Sequence, residues 1–391
     1  MTTAGVDPGR AGRMRPAVVF GLLHAGLAVT RSLGRAEIPV TGISWGPHEF
    51  GLRSRYLGKR HLVAHGDADA VLGAIRSEGK RVVLFPERDE HVEWALDRWE
   101  EARALADMPL PDDPQAVVSL RRKDLLPSVA AEAEVLFPGT VLADGDAAVR
   151  EANLRPPLVV KAVEGQEFAL TFGHKAIVAQ DLEEALRVAR EARDRGFRTI
   201  IQEVVPDSHE RVYSLLAYVG RDGRPLVTVV GRKVRQGPLR FGTSAVFEVD
   251  YEPRVLDQGL RLLRTAGYTG IAHVEFAQDP RDGEFRVLEV NTRLPVWAGL
   301  AANRHLDLPR VVYDDLSGRE VAPLPTFQGD LTWIYLAKDV YVSVQMARRR
   351  ELGPRRFLSG YLRGPKARAV FALDDPWPAI ASLAYLRSRT P

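Results

Sequence analysis

The sequence predicts an α/β protein whose second half changes to an α+β arrangement. Its 391 residues exceed what one hydrophobic core usually organises, so we expect about two or three domains. In the first part, apolar runs typical of strands alternate with amphipathic helical runs, which indicates parallel strands joined by helices. Further along, two apolar runs flank the turn signal "RDGR", which indicates an antiparallel hairpin.

The N-terminal part is predicted to be a layered α/β domain. After a loose tail, strand-like "PAVVFGLL" precedes helix-like "AGLAVTRSLGRAE", and "RVVLF" precedes another helical run. The stretch "ADMPLPDDPQ" (106–115) mixes Pro and Asp without periodicity and marks the end of this domain. Its first strand and helix lack the G-x-G-x-x-G pattern, because Gly21 and Gly26 are five positions apart. We therefore exclude an NAD(P)-dependent oxidoreductase.

Composition narrows the class of protein. The hydrophobic and charged fractions, 45% and 27%, are typical of a soluble globular chain. No apolar stretch reaches the roughly 18 residues of a membrane span, and the polar N-terminus lacks a signal-peptide core, so we expect a cytoplasmic protein. The absence of cysteine excludes disulfides, thiolate nucleophiles and zinc–thiolate sites. The net charge of +3 is spread along the chain, so no nucleic-acid or membrane surface is expected.

Lysines are rare in this arginine-rich chain, and two of them accompany strand-like runs. Lys161 lies inside "PLVVKAV", where a buried ammonium is costly unless an anion accompanies it. Lys175 begins "KAIVAQ" after a stretch that could fold over a ligand. An edge-strand lysine reaching water and an isolated surface lysine are the alternatives. The apolar run "RTIIQEVVP" (198–206) carries Gln202 and Glu203 and is either a core strand or a hinge facing a heteroaromatic base.

Acidic and amide side chains mark two further strands. "IAHVEF" places His273 and Glu275 on one face, and "FRVLEVN" places Glu289 and Asn291 on one face, because strand side chains alternate. If the two strands pair, these oxygens converge into a set of ligands suited to Mg²⁺, with Arg293 one repeat further on as a phosphate contact. A solvated outer sheet face is the alternative. The cluster "GRKVRQ" is either such a face or an anion site.

The order of these features resembles the ATP-grasp superfamily, and within it the carboxylate–amine ligase-like members, over roughly residues 15 to 390. The resemblance implies a lid loop at "EGQEFALTFGH" and a set of ATP-binding residues. Lysines hold the phosphates, the hinge binds adenine, and an acid after "PDSH" takes the ribose hydroxyls. The residues at these positions are Lys123, Lys161, Lys175, Gln202, Glu203, Val205 and Glu210.

The resemblance also implies the residues around the transferred phosphate. Glu275, Glu289 and Asn291 match magnesium ligands, and Arg293 matches the phosphate-binding arginine of a motif more often written E-x-N-P-R, with Thr292 in place of the proline. Arg232 or Lys233 is a candidate for the acyl-phosphate or γ-phosphate. In the N-terminal domain, "GPHEFGLRSRYLGK" (46–59) is a candidate carboxylate site with Arg53 and Arg55 as anion contacts; a surface loop is the alternative.

The implied architecture is a Rossmann-like pre-ATP-grasp domain (1–112), two α+β subdomains that sandwich ATP (113–203 and 204–325), and a C-terminal helical extension (326–391) whose closing segment is expected to carry no chemistry. The implied activity is an ATP-dependent ligase that activates a carboxylate as an acyl-phosphate and joins it to an amine. ATP and two Mg²⁺ ions, replaceable by Mn²⁺, are the expected cofactors. The partners are a small-molecule carboxylate and an amine, such as an amino acid or small peptide, and the protein is a monomer or homodimer.

Other functions of the same fold stay open at this point. The alternative is a non-ligase ATP-binding protein that transfers phosphoryl groups, carboxylates a carrier or has a regulatory role. The histidines nearest the expected cleft are predicted to be packing or surface residues rather than general bases. These histidines are His24, His48, His174 and His273.

Overall fold

The computed structural model places the sequence in three sheets that follow one another along the chain. It describes residues 14–163, 167–206, 211–239, 242–303, 306–353, 357, 361–362 and 364–387. Glu210, the predicted ribose contact, lies outside the described residues. None of the helices in these ranges is long and apolar enough to cross a membrane.

The first sheet confirms the predicted α/β layering. All its strands are parallel, in the order β3-β2-β1-β4-β5. The strands are β1 (Ala17–Phe20), β2 (Val40–Ser44), β3 (Lys59–Leu62), β4 (Val82–Pro86) and β5 (Ala106–Asp107). The helices are α1 (His24–Arg35), α2 (Ala68–Arg76), α3 (Asp89–Asp97) and α4 (Trp99–Leu105). β1, β2 and β4 are buried along their whole length, as expected of parallel strands covered on both faces.

The second unit is a smaller lobe around a four-stranded antiparallel sheet in the order β6-β9-β7-β8. Its strands are β6 (Thr140–Leu142), β7 (Leu158–Ala162), β8 (Ala176–Ala179) and β9 (Thr199–Glu203). Its helices are α7 (Asp146–Glu151), α8 (Glu167–Phe172) and α9 (Leu182–Asp194). Two helices that precede the lobe in the chain, α5 (Pro114–Arg121) and α6 (Leu126–Glu132), pack instead into the core shared by the first and third units. The side chain of Asp181 caps α9 by accepting a hydrogen bond from the Glu184 amide.

The third unit is a seven-stranded sheet in the order β14-β13-β10-β11-β12-β15-β16. Its strands are β10 (Val212–Val219), β11 (Pro225–Gly237), β12 (Thr243–Val249), β13 (Gly270–Gln278), β14 (Phe285–Asn291), β15 (Thr332–Ile334) and β16 (Lys366–Arg368). Its helices are α10 (Pro253–Thr265), α11 (Leu308–Leu316), α12 (Leu336–Arg348) and α13 (Trp377–Arg387). The predicted C-terminal extension therefore contributes β15 and β16 to this sheet in addition to helices.

Apolar packing joins the first and third units to each other more closely than it joins either of them to the second unit. One buried cluster contains Val18 from β1 and Val274 from β13, and another contains Leu27 from α1 and Phe247 from β12. The four-stranded lobe has a core of its own, built around residues such as Leu158 and Ile201. Of the predicted nucleotide-binding lysines, Lys161 and Lys175 belong to this separately packed lobe, whereas Lys123 lies between α5 and α6 outside its core. The predicted metal ligands belong to the large sheet.

Candidate nucleotide and metal site

The two acidic strands lie side by side with the polar residues in register. β13 and β14 are antiparallel, with Glu275 opposite Glu289 and His273 opposite Asn291. The Asn291 side-chain amide donates a hydrogen bond of 3.0 Å to Glu289 Oε1. Glu275 is buried, whereas Glu289 is exposed at the boundary with the small lobe. Strand alternation and antiparallel pairing thus bring two carboxylates and a carboxamide oxygen to one patch of the sheet.

This set of side chains fits a magnesium ion that shares its coordination with phosphate. The described residues contain no group of three or more His, Cys, Asp or Glu side chains arranged to hold a metal by themselves. Mg²⁺ is usually bound by one or two carboxylates and completes its shell with water and substrate phosphates. Glu275 and Glu289 would supply such a pair of carboxylates, and the Asn291 carboxamide would supply a neutral oxygen beside them.

Arg293 is held beside these ligands by an acid from the first domain. Its Nε and Nη2 atoms donate to Asp89 at 3.0 and 2.6 Å, and Nη2 also lies 3.2 Å from Asn291 Oδ1. Arg121 of α5 lies 3.1 Å from the same Asp89 carboxylate. Partial burial of Asp89 opposes its ionisation, yet Arg293, Arg121 and Lys175 lower its pKa to about 2. All three units of the chain therefore meet at Asp89.

Lys161 projects from β7 towards the same boundary. Its ammonium donates to Gln202 Oε1 at 2.8 Å, and the Gln202 amide donates to Thr140 Oγ1 at 2.9 Å. Burial lowers the pKa of Lys161 to about 8, with Glu289 acting to raise the pKa and Lys123 to lower it. Among the described side chains, no carboxylate forms an ion pair with Lys161, so its hydrogen-bond partner is a neutral amide.

Lys123 faces the same boundary from the segment between α5 and α6. Its ammonium lies 3.4 Å from the Val163 carbonyl oxygen, and burial lowers its pKa although Glu289 and Asp89 oppose the shift. Lys175 is exposed and influences both Asp89 and Lys123 electrostatically. Lys161 and Lys123 thus act on the exposed Glu289, and Lys123 and Lys175 act on the partly buried Asp89. Together the three lysines form a concentration of positive charge.

The predicted adenine hinge follows β9. Val205 is buried, and the Glu203 amide donates to the Gly139 carbonyl at 2.8 Å. The Glu203 carboxylate accepts from the Arg155 amide at 3.0 Å. The structure therefore places the Glu203 side chain against the loops that precede β6 and β7, and the Val204 amide that follows donates to the Pro157 carbonyl at 3.0 Å.

The structure separates the two basic candidates of β11. Lys233 is buried and donates to Glu275 Oε2 at 2.7 Å. Arg232 points to the opposite face of the sheet, where it pairs with Glu248 at 2.5 Å and Asp250 at 2.9 Å. Because consecutive strand residues face opposite sides, only one of the two can share the face of Glu275. The structure brings Lys233 and not Arg232 to the candidate site.

The predicted carboxylate contacts of the first domain lie elsewhere. Arg53 is exposed on a short 3₁₀ helix, and the Arg55 guanidinium lies near the ring of Tyr56 and 3.4 Å from the Asp374 carbonyl. The structure does not bring either arginine to Glu275 or Arg293. Sequence spacing could not show this, because the segment before α13 covers the loop that carries them.

Buried carboxylates accept hydrogen bonds from the backbone amides at the N-terminus of α1. Glu87 accepts from the Leu23 and Ala25 amides at 3.0 and 3.1 Å, and Glu49 accepts from the Leu22 amide at 2.6 Å. Burial and the neighbouring Glu87 raise the pKa of Glu49 to about 7. In a dinucleotide-binding domain this helix terminus holds a phosphate. Carboxylates occupy it here, which agrees with the exclusion of an NAD(P) site.

Replacing Lys161 by methionine is expected to weaken ATP binding about ten- to hundredfold, because a hydrogen bond to a charged group contributes roughly 1.5–3 kcal/mol. Because its pKa is about 8, Lys161 in the free protein is half-deprotonated near pH 8. A bound triphosphate favours the charged form, so ATP binding near pH 8.5 should take up protons and weaken as the pH rises. Calorimetry in two buffers of different ionisation enthalpy measures both effects.

The exposed Lys80, whose ammonium contacts only the Met14 carbonyl among described groups, provides the control for this experiment. Lys80→Met should bind ATP like the wild type with the same proton uptake. An unchanged affinity in Lys161→Met, or an undiminished proton uptake, would contradict the assignment of Lys161 to the phosphates.

Comparison with known proteins finds similarity to one family of domains and to one curated protein. The family described as carbamoyl-phosphate synthase L chain, ATP binding domain, matches residues 195–304, the segment from β9 to just beyond Arg293. D-aspartate ligase from Enterococcus faecium (strain Aus0004) is 24% identical over an alignment of 199 residues. The alignment covers 48% of this chain and 47% of the ligase. The chain thus aligns with about half the length of that relative.

Solved structures resemble nearly the whole fold. An L-amino acid ligase from Bacillus licheniformis superposes with a TM-score of 0.58 at 16% identity, covering 80% of this chain and 78% of that one. The biotin carboxylase domain dimer of Hydrogenobacter thermophilus 2-oxoglutarate carboxylase superposes with a TM-score of 0.63 at 14% identity, covering 79% and 71%. That structure holds MgADP, ADP and bicarbonate. At these identities the likeness concerns the fold.

Proposed function

Because the chain has the ATP-grasp fold, as its sequence predicts, we propose that it is an ATP-dependent ligase that activates a substrate carboxylate as an acyl-phosphate and joins it to an amine. The proposal depends on one observation. Glu275, Glu289 and Asn291 converge on paired strands of the large sheet, and Lys161 of the small lobe and Lys123 between α5 and α6 both act electrostatically on Glu289. In a bound Mg-ATP, the magnesium ion would balance the carboxylates and the triphosphate would balance the lysines.

The proposed reaction has two steps. A carboxylate oxygen of the acid attacks the γ-phosphorus of ATP, the bond from that phosphorus to the β,γ-bridging oxygen breaks, and ADP leaves. The amine nitrogen then attacks the acyl carbon, the bond from carbon to the phosphate oxygen breaks, phosphate leaves, and the nitrogen gives up a proton. Neither step requires a protein nucleophile, which agrees with a chain that has no cysteine.

The protein's contribution is to neutralise the charge of the triphosphate and to align the reacting groups. Lys161, Lys123 and the exposed Lys175 would neutralise the triphosphate, and Arg293 would contact the phosphate being transferred. Glu275, Glu289 and Asn291 would hold Mg²⁺, which draws charge from the phosphate oxygens. Asp89 would fix the orientation of Arg293 through its two hydrogen bonds.

The named relatives favour amide or peptide bond formation among the reactions of this fold. D-aspartate ligase and L-amino acid ligase are both named for amino-acid substrates. An amino acid or small peptide is therefore the substrate class we propose for at least one of the two sites. Arg232 has no role in this proposal, because it pairs with Glu248 and Asp250 on the other face of the sheet.

A screen of the purified chain tests the reaction. ADP and phosphate release are measured with Mg-ATP and pools of carboxylic acids, amino acids of both configurations and amines, and products are identified by mass spectrometry. We expect release that requires an acid and an amine together, with a product lighter by one water than the sum of the two. Release without any condensed product would contradict a ligase.

Carboxylation is a second candidate, favoured by the likeness to a domain solved with MgADP and bicarbonate. The same screen separates the two functions. A carboxylating enzyme would release ADP with bicarbonate as the only acid, and the acceptor would gain the mass of carbon dioxide. For the ligase, bicarbonate alone would give no such product.

A further inference from the structure

Helix α12 in the C-terminal extension carries a lysine onto the large sheet beside the candidate site. The Lys338 ammonium donates to the Thr243 carbonyl at the start of β12 at 2.9 Å and also contacts the Thr243 hydroxyl. Its side chain lies against Gly237 at the end of β11, where an added Cβ would be 3.1 Å from Lys338 Cε. The half-buried lysine thus lies along the ends of β11 and β12 and is held there by Thr243.

A buried ion pair anchors α12 at the neighbouring residue. Asp339 accepts from Arg235 Nε and Nη2 at 2.5 and 2.9 Å, and the two side chains are 0% and 3% exposed. The Tyr361 hydroxyl also donates to Asp339. Because Asp339 directly follows Lys338, this pair fixes the point from which Lys338 extends.

Lys338 and Lys233 bring more positive charge than the described carboxylates around them balance. Burial and, to a smaller extent, the positive charge of Lys233 lower the pKa of Lys338 to about 8. Glu275 pairs with Lys233, while none of the described carboxylates pairs with Lys338. With magnesium bound, Glu275 would be shared with the metal. The positive charge of the two lysines would then be available to an anion beside the transferred phosphate.

His24 adds a neutral hydrogen-bonding group next to Lys338. It is the first residue of α1, and its Nε2 atom is buried without a hydrogen-bond partner. Burial and the nearby Lys338 lower its pKa to about 3, so the ring is neutral at physiological pH. The ring packs against those of Tyr335 and Phe50, with centroids 4.5 and 5.1 Å away. A buried, unpartnered imidazole nitrogen near the Lys338 ammonium is suited to a polar ligand.

We propose that Lys338, together with Lys233 and the buried face of His24, binds the substrate carboxylate that ATP activates. The proposal rests on the proposed ligase function and gives it a site for the acid. Lys233 joins this site to the metal ligands through Glu275, so a carboxylate held between the two lysines would lie next to the transferred phosphate. Lys338 takes the role that the sequence predicted for Arg53 and Arg55.

Kinetics of two Lys338 variants test the site. With the acid that gives the strongest ADP release in the screen, Lys338→Met should raise the KM for that acid at least about tenfold, the loss of one charged hydrogen bond. The KM for ATP should stay within about twofold, and Lys338→Arg should recover part of the loss. Lys80→Met is the control. An unchanged KM for the acid in Lys338→Met, or an equal rise for acid and ATP, would overturn the proposal.

Chemical labelling tests the same site without turnover. Trace acetylation with acetic anhydride followed by mass spectrometry measures the reactivity of each lysine, with Lys80 as the internal standard. In the presence of MgADP, succinate, D-aspartate or bicarbonate should reduce the labelling of Lys338 severalfold. Protection by MgADP alone, or by none of these three anions, would overturn the proposal. If the wild type shows no acid-dependent ADP release, the ligase function fails, and the labelling still decides whether Lys338 binds a carboxylate.

Discussion

Replacing Glu289 by glutamine is expected to reduce Mg²⁺-dependent ATP turnover by about a hundredfold or more. The change keeps the shape of the side chain and its position opposite Glu275 but removes one of the two negative charges proposed to hold the metal. Changes that only touch the surroundings of a bound metal already cost roughly 10–100-fold. ADP release at increasing Mg²⁺ measures the effect, and part of the loss should be recovered at high metal concentration.

Glu284→Gln provides a matched control for this experiment. Glu284 is an exposed glutamate just before β14, on the same hairpin as Glu289, so the substitution is chemically identical and structurally remote from the proposed ligands. It should leave turnover and its Mg²⁺ dependence unchanged. Turnover near the wild-type value in Glu289→Gln would contradict the assignment of Glu289 to the metal.

The sequence predicted those parts of the site that depend on strand periodicity. Alternation along β13 and β14 fixes which residues share a face, and the pairing of the two strands then places Glu275 opposite Glu289. The same rule shows that Arg232 and Lys233 face opposite ways. It could not show which of them faces Glu275, because that depends on β10 lying between β11 and β13.

The sequence could not predict the contacts that cross domain boundaries. Asp89 lies 204 positions before Arg293, in an acidic helix start that is indistinguishable from a solvated surface. Lys338 stands in a helix of mixed polarity, and only the fold of the extension shows that this helix covers β11 and β12. Both residues come from elements with no local motif, so their positions follow from packing of the first and third units.

The cationic groups of the small lobe and of α12 share one physical feature. Lys161 and Lys338 are both partly buried with pKa values lowered to about 8, and among the described residues both have neutral hydrogen-bond partners. Buried ammonium groups of this kind cost stability in the free protein. Anionic ligands would relieve that cost at both places, which favours one anion from the nucleotide and another from the acid.

Removing Asp339 is expected to produce the largest loss of stability among these variants. Asp339→Ala leaves the Arg235 guanidinium buried without its partner, and breaking such a pair costs about 3–5 kcal/mol. The amides of α12 should exchange with deuterium much faster, because the ion pair anchors this helix to β11. If Lys338 binds the acid, the KM for the acid should rise as well, since Lys338 precedes the lost anchor.

A double variant separates the loss of a partner from the loss of packing. Arg235→Met combined with Asp339→Leu removes both charges and keeps apolar volume, so it should be much more stable than Asp339→Ala. Glu183→Ala, which breaks the exposed ion pair with Arg150, should change the exchange of α12 amides little. Equal exchange rates in Asp339→Ala and the wild type would show that the pair does not hold α12, and the fixed position argued for Lys338 would then lose its support.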